Sequence, residues 1–344
     1  KTSLEDPQTL AMRTFKTSSH YDTAIYNYFN REGSPTSFKE SYHQSRELRY
    51  GENPHQQGRF YGDLEAIFEN LGGKAISYNN LVDIDAAVQV MREFRDTGPT
   101  FAIFKHTNTC GLATRPTANS AWKAALAGDN ISAFGGIFIT NTTVDKATAL
   151  EINQLFYEVL IAPDFDKDAL KVLQAKKKRI LLRIKEFYTA PRSFKRLLNG
   201  VVEQDTDLKI ETEEDFQTIT IKKPSHQELQ DMIFGNIAVK HLKSNGIAIV
   251  KNQQLIGMGC GQTSRVDALR QAIHKARSFG FDLEGAVMCS DAFFPFPDCV
   301  EIAHLAGITA VSQPGGSIKD QLSIDYCNNN GLAMCMTGTR HFKH

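Results

Sequence analysis

The sequence predicts an α/β protein built from two similar units, and three observations carry that prediction. Short apolar runs rich in β-branched and aromatic residues recur along the chain, each bounded by polar, Gly or Pro residues, as buried strands require. Helical patterns separate them, which is the layering of helices on sheets. The order strand, helix, strand, helix, strand then runs twice, on either side of a polar, charge-rich stretch at 203–224. We therefore expect an internal duplication, although residue identity between the halves is low.

The elements follow in order. Asp6 before Pro7 marks a helix start, with Asp as cap and Pro at the first helical position. Leu10, Met12 and Phe15, then Tyr21, Ala24, Ile25, Tyr28 and Phe29, predict two helices divided at Thr17-Ser18-Ser19. Residues 31–40, with Gly33, Pro35 and serines, read as a linker. Residues 48–56, which include Arg49, Tyr50, Gly51, Asn53, Pro54 and His55, read as a loop with side-chain donors. The first unit then alternates helix 83–94, strand 100–105, helix 119–127, strand 131–139, helix 144–157, strand 159–163, helix 166–177 and strand 179–184. Lys176-Lys177-Lys178-Arg179 reads as a cationic helix end facing its macrodipole. Ser225-His226-Gln227-Glu228 is a capping box for helix 226–242. In the second unit, strand 247–250 turns through Asn252-Gln253 into 255–259, and helix 265–277, strand 286–289, helix 299–306, strand 308–311, helix 318–328 and strand 332–335 follow.

At 344 residues the chain can hold two domains and a substantial core. Its formal net charge of zero argues against a general nucleic-acid or anionic-membrane binder, which carries a basic excess. No apolar run approaches membrane-spanning length, and the start shows no signal-peptide pattern. Cys110, Cys260, Cys289, Cys299, Cys327 and Cys335 form no C-x-x-C pair and no zinc-ligand spacing. They read as reduced thiols of a cytoplasmic protein. The first residue is Lys rather than Met, so we expect a fragment or processed form.

The chemistry concentrates at 104–111. An apolar strand run ends in Lys105-His106, and a polar segment with Gly111 leads toward a helix. A cation beside an imidazole at a strand end suits general acid/base work, because ligands of open α/β sheets sit beyond strand ends. By themselves these two residues fit a solvated Lys and a hydrogen-bonded His better. Gly257–Gly261, Phe134-Gly135-Gly136 and Pro314–Ser317 are Gly-rich, but none has Rossmann or P-loop spacing, and each alone reads as an ordinary turn. Ala292-Phe293-Phe294-Pro295-Phe296-Pro297-Asp298 cannot continue a helix or central strand, so it forms either a rigid apolar wall for a flat ring or a proline-stiffened loop on the core. His226-x-Glu228 lacks the Pro-Cys-x-x-Cys partner of zinc deaminases, which excludes zinc catalysis.

Taken together, these segments resemble the transformylase portion of the AICAR transformylase/IMP cyclohydrolase family. The pieces are Arg49-Tyr50-Gly51-x-Asn53-Pro54-His55-Gln56, Phe104-Lys105-His106, Ser132-x-Phe134-Gly135, Ile161-Ala162-Pro163, Lys243-Ser244-Asn245, Gly257-x-Gly259-x-Gly261-Gln262-x-Ser264-Arg265, Ser290-Asp291-Ala292-Phe293-Phe294-Pro295-Phe296 and Thr339-Arg340-x-Phe342-x-His344. The resemblance implies two cytidine-deaminase-like α/β units without zinc, at 41–204 and 205–344. A helical remnant of the cyclohydrolase domain and a linker, 1–40, precede them, with ring closure not expected of this chain. It implies formyl transfer from 10-formyltetrahydrofolate, the cosubstrate, to the amine of AICAR (5-aminoimidazole-4-carboxamide ribonucleotide), and it admits a monovalent cation. His106 is then the base and Lys105 the charge beside the formyl oxygen. Arg49, Tyr50, Gly135, Glu158, Asn245, Phe293 and Arg340 match nucleotide-binding positions, with Glu158 standing where some members carry Asp. Arg265, Val266, Pro295, Asp298, Ser317 and Ile318 match folate-binding positions, while Pro297 replaces an Arg common there. The family forms homodimers with shared active sites. The alternative reading is a catalytically silent AICAR-binding or interaction module.

Overall fold

The computed structural model describes residues 5–31, 33 and 36–344. Lys1, and Glu32, Ser34 and Pro35 of the expected linker, lie outside the described residues. The chain divides into two compact units, one drawn from Lys1–Ile67, Ala75–Tyr78 and Ala190–Thr206, the other from Phe68–Lys74, Asn79–Thr189 and Asp207–His344.

The first unit holds helix α1 (Glu5–Phe29), strands β1 (Ser45–Leu48) and β2 (Gly58–Tyr61) as an antiparallel pair, and a short helix α2 (Leu64–Ile67). The expected break at Thr17-Ser18-Ser19 is absent. Hydroxyls that compete with the helix elsewhere bond back to it here: Thr17 Oγ1 donates to the Arg13 carbonyl at 3.1 Å and Thr23 Oγ1 to that of Ser19 at 2.8 Å. Asp6 lies inside the helix and does not cap it.

The second unit opens with β3 (Phe68–Gly72), α3 (Tyr78–Glu93, its first residue in the other unit), β4 (Thr100–Lys105), β5 (Asn108–Thr114), α4 (Ala118–Gly128), β6 (Gly136–Thr140), α5 (Lys146–Ile152), β7 (Tyr157–Ala162), α6 (Lys167–Gln174) and β8 (Ile180–Ile184). A hairpin of β9 (Arg192–Leu197) and β10 (Gly200–Asp205) returns to the first unit, and every one of its strand residues is exposed. Its turn is Leu198-Asn199, with Leu198 at φ 51°, and the strand-and-helix reading passed over it. The chain continues with β11 (Gln217–Thr218), α7 (His226–Lys240), β12 (Ile247–Val250), β13 (Leu255–Gly259), α8 (Arg265–Ser278), β14 (Val287–Ser290), α9 (Asp298–Leu305), β15 (Ala310–Gln313), α10 (Asp320–Asn330) and β16 (Ala333–Met336). The capping box holds: Ser225 N–H donates to Glu228 Oε2 at 2.7 Å and Glu228 N–H to Ser225 Oγ at 3.2 Å.

Two six-stranded mixed sheets result, ordered β3-β8-β7-β6-β4-β5 and β11-β16-β15-β14-β12-β13. They correspond strand for strand. In each, three central strands run parallel and the flanking strands pair antiparallel, with the helices interposed at the same places. Edge strands β5 and β13 meet through an Ala113–Gln254 bridge, with Thr114 N–H donating to the Gln253 carbonyl at 3.0 Å. The first core centres on Trp122, whose ring lies 5.1 Å from Phe101 and 4.9 Å from Phe138. The second gathers Ile247, Leu269, Met288, Phe294, Val300 and Met334.

Three further expectations change. Residues 108–114 form a strand rather than a polar connector. Residues 131–135 are a turn, since Ser132 N–H donates to Asp129 Oδ1 at 2.8 Å and Gly135 sits at φ 69°, so the strand starts at Gly136. Arg179 is not a solvated helix end: it is buried, donates to Asn153 Oδ1 at 2.6 Å and lies 4.6 Å over the Tyr157 ring.

Candidate active site

Lys105 ends β4, and His106 with Thr107 makes the two-residue turn into β5. Both turn residues have positive φ, 50° and 63°, as a hairpin turn of mirror type requires. Neither is Gly, Asn or Asp, so the turn carries no local signal and is held from outside. Thr107 N–H donates to Asp83 Oδ1 on α3 at 2.7 Å. Burial pushes the Asp83 carboxyl above its usual range, while Thr107 N–H and nearby His106 and Lys105 act the other way. The second sheet repeats the device: Asp231 on α7 accepts from Asn252 N–H at 2.7 Å and Gln253 N–H at 2.6 Å, at a β12–β13 turn whose residues have φ 52° and 51°.

His106 is exposed and Lys105 half-buried. Lys105 Nζ donates to the Phe134 carbonyl at 2.8 Å, which sets it against Gly135, where a Cβ would stand 3.2 Å from that nitrogen. From the turn a run of hydrogen bonds crosses to the second sheet. Asn108 Nδ2 donates to the His106 carbonyl at 3.0 Å, and Cys260 Sγ to Asn108 Oδ1 at 3.3 Å. Gln262 Nε2 donates to the Cys260 carbonyl at 3.2 Å, and Asn245 Nδ2 to the Gln262 carbonyl at 3.0 Å. The neighbouring Ser244 donates through Oγ to Asp291 Oδ2 at 2.6 Å. Asp291, itself buried, also accepts from Arg265 at 2.8 Å and, through its carbonyl, from His341 N–H at 3.0 Å. Arg265 reaches the Phe293 carbonyl at 3.1 Å. Lys105, His106, Gly135, Asn245, Arg265, Phe293 and the tail bearing Arg340 are thus joined in one unit.

The AICARFT/IMPCHase bienzyme family model matches residues 1–275. The chain belongs to that family. It is 58% identical to the bifunctional purine biosynthesis protein PurH of Bacteroides thetaiotaomicron over 99% of this chain and 67% of that protein. It is 43% identical to PurH of Acetivibrio thermocellus, over 99% of this chain and 68% of that one, and 44% identical to PurH of Aquifex aeolicus, over the same shares. A solved deaminase/reductase, the diaminohydroxyphosphoribosylaminopyrimidine deaminase/5-amino-6-(5-phosphoribosylamino)uracil reductase of Thermotoga maritima, is 22% identical over 31% of this chain and 33% of that chain, with a TM-score of 0.22, a likeness too slight to bear on fold or chemistry.

The remaining residues singled out by the resemblance are placed as follows. Arg340 is exposed, its guanidinium 4.4 Å over the Phe342 ring. Glu158 on β7 pairs with Lys74 at 2.5 Å. Val266 lies in the first turn of α8, after the Ser264 cap. Pro295 is exposed, and Asp298 opens α9 with Oδ1 accepting from Cys299 N–H at 2.8 Å. Ser317 N–H donates to Asp320 Oδ2 at 2.9 Å, and Ile318 is fully exposed. Arg49 and Tyr50 belong to the other unit, where the Arg49 guanidinium lies 5.4 Å from the Tyr50 ring centre on a cavity of about 390 Å³ lined also by His55 and Arg59. Gly257 and Gly259 are not a ligand cradle: a Cβ on either would stand 2.3 Å or 1.9 Å from an α8 carbonyl, so they let the helix close on β13. Sequence reading missed Asp83, Asn108, Cys260 and Gln262 as parts of this framework. Each acts through a long-range contact that leaves no local motif. Among the described residues no cluster of His, Cys, Asp or Glu is arranged to hold a metal ion.

Proposed function

We propose that this chain is an AICAR formyltransferase of purine biosynthesis, converting AICAR and 10-formyltetrahydrofolate to FAICAR and tetrahydrofolate, and that ring closure is not the work of these residues. The observation that carries this reading is the hydrogen-bonded run from the Lys105-His106 turn to Asn245, Arg265, Phe293 and the Arg340 tail, found in a member of this family.

The AICAR 5-amine is a weak nucleophile, its lone pair delocalised into the imidazole and toward the carboxamide. As its nitrogen attacks the formyl carbon, its proton passes to His106, whose exposure on the turn leaves the ring open to substrate. The C=O pair moves onto oxygen beside the Lys105 ammonium. Collapse re-forms C=O, breaks the bond to N10 of the folate, and N10 takes a proton. Arg49 and Arg340 would grip the nucleotide phosphate. Tyr50, Gly135, Glu158, Asn245 and Phe293 would complete the nucleotide site, and Arg265, Val266, Pro295, Asp298, Ser317 and Ile318 the folate site. The matching strand orders support reading 41–204 and 205–344 as duplicated cytidine-deaminase-like units, with 1–40 as a helical remnant of the cyclohydrolase domain and linker. A cytoplasmic homodimer with shared active sites completes the proposal.

The test follows tetrahydrofolate absorbance with both substrates. Turnover supports the enzyme, whereas AICAR binding without turnover hands the case to a silent binding module. Arg340→Ala should weaken AICAR binding by about 10- to 100-fold, the size of a lost charge-assisted contact. Unchanged affinity removes Arg340 from the phosphate.

A further inference from the structure

The C-terminal tail carries a second feature beyond Arg340. Arg340 and Phe342 are exposed, yet His341 between them is buried, 3% exposed. Its ring lies between two carboxylates, Nδ1 2.6 Å from Asp207 Oδ2 and Nε2 3.0 Å from Glu211 Oε1. A carboxylate only accepts, so an imidazole facing one at each nitrogen needs a proton on both and is held as the cation. The neutral ring would turn one lone pair onto a carboxylate.

The surroundings hold both anions in place. Asn236 Nδ2 donates to Glu211 Oε2 at 2.7 Å, and Lys209 adds positive charge near Glu211. Lys240 stands 3.8 Å from Asp207 while donating to Glu93 Oε1 at 2.8 Å and to the Lys209 carbonyl at 2.6 Å. His241 lies 3.2 Å from the other Glu93 oxygen. The tail backbone is fixed alongside: His341 N–H donates to the Asp291 carbonyl at 3.0 Å, Lys343 N–H to Ser244 Oγ at 3.1 Å and Ser244 N–H to the Lys343 carbonyl at 2.9 Å. Asp291 and Ser244 are the residues that hold Arg265 and flank Asn245, so the tail is anchored to the proposed site itself.

We propose that His341 is a positioning residue: clamped as an imidazolium between Asp207 and Glu211, it fixes the C-terminal tail so that Arg340 is presented to the phosphate of the nucleotide. The role rests on the assignment of Arg340 to that phosphate. The chemistry at Lys105 and His106 proceeds without it, so its loss acts on nucleotide binding rather than turnover. Burial alone would disfavour the cation, but the hydrogen bonds to Asp207 and Glu211 outweigh it and lift the imidazole to about 9. The clamp therefore holds at neutral pH and opens as pH rises past about 9.

The experiment compares the whole chain with His341→Gln in two readouts. Amide exchange over residues 338–343 reads the clamp without ligand, and the variant should exchange at least about tenfold faster at neutral pH. Steady-state kinetics read the consequence: KM for AICAR should rise about tenfold with kcat within about twofold. The wild-type KM should climb above about pH 9, and the variant should lack that climb. Unchanged exchange, or a looser tail with unchanged KM, overturns the proposal. Should His341→Gln fail to fold, a wild-type KM for AICAR that stays flat through that alkaline range overturns it alone. If the wild type neither binds nor turns over AICAR, the assigned function fails and takes Arg340's role with it, while exchange still judges the clamp.

Discussion

At the scale of single residues, Lys105 and His106 differ in burial, which fits the two roles proposed for them. Lys105 is half-buried and hydrogen-bonded to Phe134, and so is fixed in place; His106 is exposed on a turn, open to a substrate proton. His106→Ala should therefore lower kcat by about 100- to 10,000-fold, the usual contribution of a general base, while leaving AICAR affinity near wild type. Steady-state kinetics alongside titration calorimetry decide it, and lost affinity with a preserved rate contradicts the assignment. Gly135 belongs to the same argument. Its φ of 69° is costly for any side chain, and a Cβ would press on Lys105 Nζ at 3.2 Å. Glycine at 135 thus has a steric reason here.

At the scale of elements, the β4–β5 and β12–β13 hairpins form an internal control. Each has a two-residue turn with positive φ, and each turn is held by one carboxylate from the preceding long helix, Asp83 or Asp231. Only the first turn carries His106. Asp83→Ala and Asp231→Ala should each cost about 1.5–3 kcal/mol in denaturant melts, the range for hydrogen bonds to a charged group. Only Asp83→Ala should also reduce kcat, by about 100-fold, the penalty of a misplaced catalytic group. Equal effects on kcat from the two variants would mean the Asp83 contact matters for folding alone. The second hairpin was legible because Asn252-Gln253 separates two apolar runs; the first was not, because His106-Thr107 has no turn-forming composition and depends on a carboxylate more than twenty positions away.

At the scale of the whole molecule, the charged segment at 203–224 is mostly exposed, yet it sends Glu211 and Phe216 into the packed interior. Glu211 is buried against His341 and Asn236, and Phe216 is buried nearby in sequence. Linkage gives this a sign. His341 has its folded-state value raised from 6.5 to about 9, so its stabilisation is complete below about pH 6.5, fades as pH rises, and is gone above about pH 9. The difference in unfolding free energy between wild type and His341→Gln, measured by denaturant melts across that range, should shrink in the same direction. A difference that grows with pH would show that the imidazole is not held as a cation.

Strand and helix alternation, the twofold repeat of their order and the capping box at Ser225 were readable from the sequence because each depends on neighbours within a few residues: apolar periodicity, side-chain length, a hydroxyl three positions from a carboxylate. The family resemblance was readable for a related reason, since its motifs are contiguous. The hidden first hairpin, the glycines that seat α8 on β13 and the clamp on the tail were decided only by tertiary structure. Each rests on an atom brought to a carbonyl, an N–H or an imidazole by the fold, and a partner distant in the chain leaves no trace in the local pattern of residues.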